Sequence, residues 1–278
     1  MLWGYALGWW PEFLTLDQNE LYAKLEFLVA HDLKATNIRL EQLLAMPPDE
    51  RARLGEFLAD NDLHLTPYVW FDYVNAAADE ARRRTDEMIA GLSECVPLLR
   101  AWVVVTHAGC GHRFDRTMPP QEKVRRLSEA LGPIAAACHA LGAPLAINNQ
   151  GDFYVSDFVE LCERTPHLGV HLDTANIFWA GERIHPAFET IAPYVFGTHW
   201  RDERITIGER KPRGVMLHNC VTGEGDVGLR ECYDQLVRLA PNPGRLVMEI
   251  EMFPPSEMNK TEALEKSLTF VRSLPEVE

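Results

Sequence analysis

The chain has 278 residues, 46% of them hydrophobic and 24% charged, a composition ordinary for a soluble globular protein with a sizeable core. Its formal net charge of −14, from 27 basic and 41 acidic residues, argues against a nucleic-acid partner, because phosphate backbones are held by clustered Lys and Arg. No apolar run approaches the roughly 18 residues that a membrane span needs, and the stretch MLWGYALGWWPEFL has neither the basic start nor the cleavage motif of a secretory signal, so a cytoplasmic protein without a membrane partner is expected.

Taken in chain order, short apolar runs predict strands at residues 3–8, 36–41, 65–70, 102–106, 144–148, 169–173, 195–199 and 246–250. Helical stripes lie between them. In the first, Leu21, Leu25, Leu28 and Val29 recur at helical spacing, and in the last Leu264, Leu268 and Val271 do so. Strands joined by helical crossovers imply a parallel sheet, and eight such units close into a (β/α)8 TIM barrel. With no linker-like stretch, one domain over residues 1–278 is predicted. Residues 223–228, GEGDVG, match the glycine fingerprint of dinucleotide sites but follow no strand, so they read as a loop. Residues 201–228 exceed a plain connection and are a candidate active-site loop.

Cys95, Cys110, Cys138, Cys162, Cys220 and Cys232 are widely spaced and read as reduced thiols. The sequon at Asn259 carries no weight without secretion.

Side chains alternate along a strand, so each run can be read for its inner face. Leu145 and Ile147 turn outward while Ala146 and Asn148 turn inward; Val170 and Leu172 alternate with His171 and Asp173; Leu246, Met248 and Ile250 alternate with Val247, Glu249 and Glu251. Asn148, Asp173, His199 and Glu249 thus share the inner face at the carboxyl ends of their strands, where barrel active sites are built. Two buried carboxylates beside an imidazole need a counter-charge. One divalent cation, Mn²⁺, Zn²⁺, Co²⁺ or Mg²⁺, supplies it, with the His favouring the transition metals.

Four segments carry a resemblance over essentially the whole chain. LAINNQGDF is similar to an I-E-N-H-G segment on a fifth strand, HLDTAN to D-T-x-N/H, THWRDER to H-x-K-D, and GEGDV followed by LVMEIE to a G-x-G-x-V loop and last-strand Glu. Together they resemble the xylose isomerase-like TIM-barrel superfamily, the group of sugar phosphate isomerases and epimerases and family-2 AP endonucleases. The resemblance implies metal ligands at Asp173, His199 and Glu249, with Asn148 where a first Glu is usual, Gln150 where a His is usual, and Asp202 as the H-x-K-D aspartate. Asn176 falls in the D-T-x-N segment. An amide oxygen can coordinate but carries no charge and cannot take a proton.

The implied activity is a divalent-metal-dependent isomerase or epimerase on a sugar, keto-sugar or polyol, abstracting a proton next to a metal-polarised carbonyl. Because the pair of glutamates that epimerases of this superfamily use is reduced to Glu249, a lyase or dehydratase needing one abstraction is the alternative. A further alternative is a non-catalytic sugar-binding or partner-subunit barrel. Glu249 and His107 are the candidate proton carriers. Glu41, Tyr68, Trp70, Asn176, Asp202 and Arg204 are candidate substrate contacts, Tyr68 and Trp70 as an apolar wall. The expected partner is a small-molecule sugar or polyol, with self-association into a homo-oligomer allowed.

Overall fold

In a computed structural model, which describes residues 1–10, 14, 16, 20–109, 113, 117–207 and 215–277, eight parallel strands close into a barrel. The strands are β1 (Leu2–Tyr5), β2 (Ala35–Arg39), β3 (His64–Val69), β4 (Val104–His107), β5 (Leu145–Asn148), β6 (Gly169–Asp173), β7 (Val195–Trp200) and β10 (Val247–Ile250). The predicted (β/α)8 architecture is therefore the observed one. Cys110 lies outside the described residues; the other five cysteines are buried and free. Among the described residues no helix is long and apolar enough to cross a membrane.

Helices α1 (Leu21–Ala30), α3 (Pro48–Asp60), α4 (Ala78–Leu98), α5 (Pro120–Ala140), α6 (Val155–Arg164), α8 (Ile184–Ile191), α9 (Leu229–Leu239) and α10 (Lys260–Arg272) surround the barrel. Their starts follow local chemistry. Pro48 and Pro120 open α3 and α5 with acidic residues in the first turn, where a missing N–H costs nothing and negative charge faces the helix dipole. The Asn259 side chain caps α10 by accepting from the Thr261 and Glu262 amides. Of the α1 stripe, Leu25 and Leu28 are buried, whereas Val29 faces solvent at 46% exposure.

The alternation read from the sequence separates two apolar regions. Leu145, Ile147, Val170, Leu172, Met248 and Ile250 belong to the large layer between strands and helices. Leu2, Ala35, Tyr68, Val105, Ala146 and Val247 form a smaller cluster inside the barrel. Register then fixes neighbours: Glu249 lies beside His199, His199 beside Asp173, Asn148 beside His171, and His107 beside Asn148.

Most strand ends fall within two residues of the expected boundaries, and the larger departures have local causes. β1 ends at Tyr5 rather than Gly8, because side chains take over from the ladder: the Leu7 amide donates to Thr36 Oγ1 and the Gly8 amide to Asn37 Oδ1. β2 ends at Arg39, and Glu41 lies not on a strand's inner face but in the short helix α2 (Leu40–Leu44), whose Leu40 and Leu43 are buried. The long stretch after β7 holds an antiparallel hairpin of β8 (Glu203–Ile207) and β9 (Val215–Asn219), and a short helix α7 (Asn176–Ala180) follows β6.

Gly4 occupies the tightest contact of the barrel wall. A Cβ there would collide with the Ala35 carbonyl on β2. Gly4→Ala is therefore expected to push β1 off β2 and to cost about 2–3 kcal/mol, as overpacked cores do. Chemical denaturation measures it, and an unchanged midpoint would contradict this packing.

Candidate active site

The carboxyl ends of the strands surround a cavity of about 820 Å³ whose floor includes Asp173, His199, Arg201 and Glu251 and whose walls include Trp9, Trp10, Trp70, Trp179 and Phe253. Strand register carries the floor residues to one place. Loops and the short helix after β6 carry the walls.

His199 is the hub. Its Nδ1 stands 3.3 Å from Glu251 Oε2 and its Nε2 stands 3.6 Å from Glu249 Oε2. Nε2 also shares a 2.8 Å hydrogen bond with the Tyr68 hydroxyl, and the two rings lie parallel. Burial alone would lower the imidazole's proton affinity, but the carboxylates of Glu251, Glu249 and Asp173 outweigh it and raise the pKa to about 9. Beneath this level His171 is fully buried, its Nε2 3.9 Å from Glu249 Oε2. Gly197 makes room for it, since a Cβ there would stand 2.7 Å from His171 Cδ2.

Asp173 is tightly held. One oxygen accepts from the Ala175 and Asn176 amides at 3.0 and 3.1 Å, and the other is 3.2 Å from Arg201 Nη2. Burial pushes its carboxyl up to about 6 against the pull of Arg201. Arg201 also donates to Asn176 Oδ1 at 2.7 Å, with its guanidinium 5.0 Å from the Trp179 ring centre.

The remaining predicted residues fall into distinct places. Asn148 is fully buried, its amide nitrogen donating to the His171 carbonyl and its oxygen accepting from Gln150 Nε2 at 2.5 Å. Glu249 has no exposed surface, whereas Glu251, two residues on, reaches the cavity. Asp202 accepts four backbone N–H bonds, from Glu203, Gly223, Gly225 and Val227, and so ties down the GEGDV loop. Arg204 is on the hairpin and donates to the Glu224 carbonyl. Glu41 is exposed, 4.0 Å from Arg84. Trp70 and His107 line the cavity, as does Asn176, while Tyr68 sits inside the barrel.

Sequence reasoning passed over Glu251, Arg201 and Asp152 as site residues. Glu251 shared the inward face with Glu249, and that was its signal. Asp152, four residues past Asn148, lines the cavity and accepts from the Gln150 amide, and burial raises its carboxyl to about 6.

Two triads bring ligand atoms within 4.8 Å of one another: Asp173, His199 and Glu251 at the floor, and His171, His199 and Glu249 below it. Among the described residues Glu251 Oε2, both Glu249 oxygens and both His171 nitrogens have no hydrogen-bond partner; the two carboxylates share the one His199 imidazole as a counter-charge at 3.3 and 3.6 Å, and a divalent cation would neutralise the remainder. Two carboxylates and an imidazole facing a cavity are a donor set for Mn²⁺, Co²⁺ or Zn²⁺. The upper triad therefore fits a divalent ion.

A family model described as xylose isomerase-like TIM barrel matches residues 25–274. No curated protein matches significantly. Among solved structures, D-psicose 3-epimerase with D-tagatose from Clostridium cellulolyticum H10 superposes with a TM-score of 0.72 at 14% identity, covering 98% of this chain and 97% of that one. The IolI protein with a bound zinc atom gives 0.69 at 16%, covering 98% and 96%. The probable 3-DHS dehydratase of petrobactin synthesis from Bacillus anthracis gives 0.66 at 14%, covering 98% and 99%. At such identities the likeness is one of fold.

His107 generates a pH test. Burial, with the charge of His199 second, lowers its pKa from 6.5 to about 4. On acidification the unfolded chain takes this proton near 6.5 and the folded one only near 4, so between those values the unfolded state binds more protons and folding loses stability as pH falls. Relative to His107→Gln, the wild type should lose about 3 kcal/mol by pH 4 and run parallel above pH 7. Parallel denaturation curves throughout would contradict a buried neutral His107.

Proposed function

The chain belongs to the xylose isomerase-like TIM-barrel family, and from that premise we propose that it is a divalent-metal-dependent enzyme moving a proton next to the carbonyl of a sugar, keto-sugar or polyol, with an isomerase or epimerase outcome. The observation that carries this reading is the convergence of Asp173, His199 and Glu251 on the floor of an aromatic-walled cavity at the carboxyl ends of the strands, the place where barrel enzymes do chemistry.

Asp173, His199 and Glu251 would hold the ion, with Mn²⁺, Co²⁺, Zn²⁺ and Mg²⁺ as the candidates. When bound it supplies a Lewis acid for a carbonyl oxygen. The chain's own residues do the rest. His107, neutral at physiological pH and lining the cavity, can accept a proton from a bound substrate. Asp152, its carboxyl raised to about 6, can take or return one from the β5 side. Arg201 and Asn176 offer donors to hydroxyls, and the indoles of Trp9, Trp70 and Trp179 shield the site and stack on a ring. Glu249, sealed below the floor, acts on His199 rather than on substrate.

Asn148 favours a second reading. An amide in place of a carboxylate removes one proton carrier, which suits a single abstraction and elimination, so the alternative is a lyase or dehydratase on a keto-sugar or keto-polyol. The solved structure of a probable 3-DHS dehydratase with this fold is consistent with it.

Elemental mass spectrometry on protein purified without chelator, together with thermal shifts in Mn²⁺, Co²⁺, Zn²⁺ and Mg²⁺, tests the reading. About one equivalent of metal, or a stabilisation of several degrees by one ion, is expected in the wild type and is expected to vanish in Glu251→Gln and Asp173→Asn. If Glu249→Gln alone abolishes binding, the lower triad is the metal site. Neither metal nor shift in the wild type would overturn the enzyme reading in favour of a sugar-binding barrel.

A further inference from the structure

Beside the main cavity lies a second one of about 390 Å³, and Trp9, Trp70 and His107 line both. On the basis of the carbohydrate reading above, we propose that this second cavity is an aglycone subsite, so that the substrate is a keto-glycoside carrying a planar apolar group rather than a free sugar.

The two cavities differ in chemistry. The first has the carboxylates, imidazole and guanidinium of the floor, suited to a ring covered in hydroxyls. The second is walled by the Trp9 indole, the Tyr68 ring and Val69, with Leu40, Leu44 and Met88 opposite. Its four charged lining residues are held by other partners: Arg84 and Glu41 stand 4.0 Å apart, Glu87 accepts from Arg83 at 2.6 Å, and the Arg39 guanidinium stands 5.9 Å from the centre of the Trp9 ring. A second sugar would leave its hydroxyls facing indole and aliphatic carbon, at a cost. A flat apolar group would not.

The walls are built rather than incidental. Trp9 meets Tyr68 edge to face at 5.4 Å, and the Trp70 indole is seated over Gly109, where a Cβ would collide with its Nε1. Gly109 has a φ of +65°, a conformation that favours glycine. Yet Trp70 remains 48% exposed and Leu44 39%, and large apolar side chains left open around a concavity mark a ligand surface. The short helix α2, where the sequence suggests a continuing strand, is what turns Leu40 and Leu44 to this side.

Isothermal titration of the Mn²⁺-supplemented protein with paired methyl and 4-nitrophenyl glycosides of glucose, galactose and mannose, and with the disaccharide cellobiose, tests the proposal. For whichever sugar binds, the aryl glycoside should bind at least about tenfold more tightly than the methyl glycoside. Leu44→Trp, which fills the subsite from a partly exposed position, should cut that ratio to about threefold or less. Equal affinity for aryl and methyl glycosides would overturn the subsite while leaving the sugar reading intact. Tighter binding of cellobiose than of every aryl glycoside would overturn it in favour of a second sugar. Binding of no glycoside at all would sink the carbohydrate reading and this proposal with it.

Discussion

Asp173, Glu249 and Glu251 converge on the single imidazole of His199 in a space largely closed to water. Carboxylates removed from water are stable only when paired or neutralised, and the rest of the barrel mouth answers that demand. Arg201 is drawn to Asp173 and is itself oriented by Asn176 and Trp179. His199 gains proton affinity from the surrounding carboxylates despite its burial. Even so, polar atoms of Glu249, Glu251 and His171 stay without hydrogen-bond partners among the described residues. A fold held together by apolar packing keeps such atoms only at a cost in stability, and a bound divalent ion would remove part of it.

The barrel itself produces this convergence. Parallel register sets Glu249, His199 and Asp173 side by side on neighbouring strands, and glycines at tight points of the wall let strands and rings approach. Gly4 passes close to Ala35, and Gly197 lies under His171. Farther from the axis, Asp202 gathers four backbone amides and so fixes the GEGDV loop, a scaffold task for a residue whose motif position suggests contact with substrate.

The architecture was legible in the sequence because period-two runs alternate with helical stripes, and the inward face of each strand followed from the same period. That reasoning brought Asn148, Asp173, His199 and Glu249 together. It took Glu249 and passed over Glu251, which shares its face. Which of them meets the cavity depends on depth along the barrel axis, set by strand tilt and register and not by alternation. Glu41 was misplaced because Leu40 and Leu43 serve the core of a short helix as well as they would serve a strand. Asp152 and Arg201 come to the site through a loop and a strand end, and Trp179 through the short helix α7, where no periodicity reports direction.

The account rests on proton movement next to a carbonyl. Its most direct test is incubation of the metal-supplemented protein in D₂O with a panel of ketoses, keto-glycosides and keto-polyols, followed by NMR and mass spectrometry. Deuterium entering the carbon next to the carbonyl of a compound that binds is the predicted result. A compound that binds in the cavity and is converted without any exchange of that hydrogen with solvent would contradict the account.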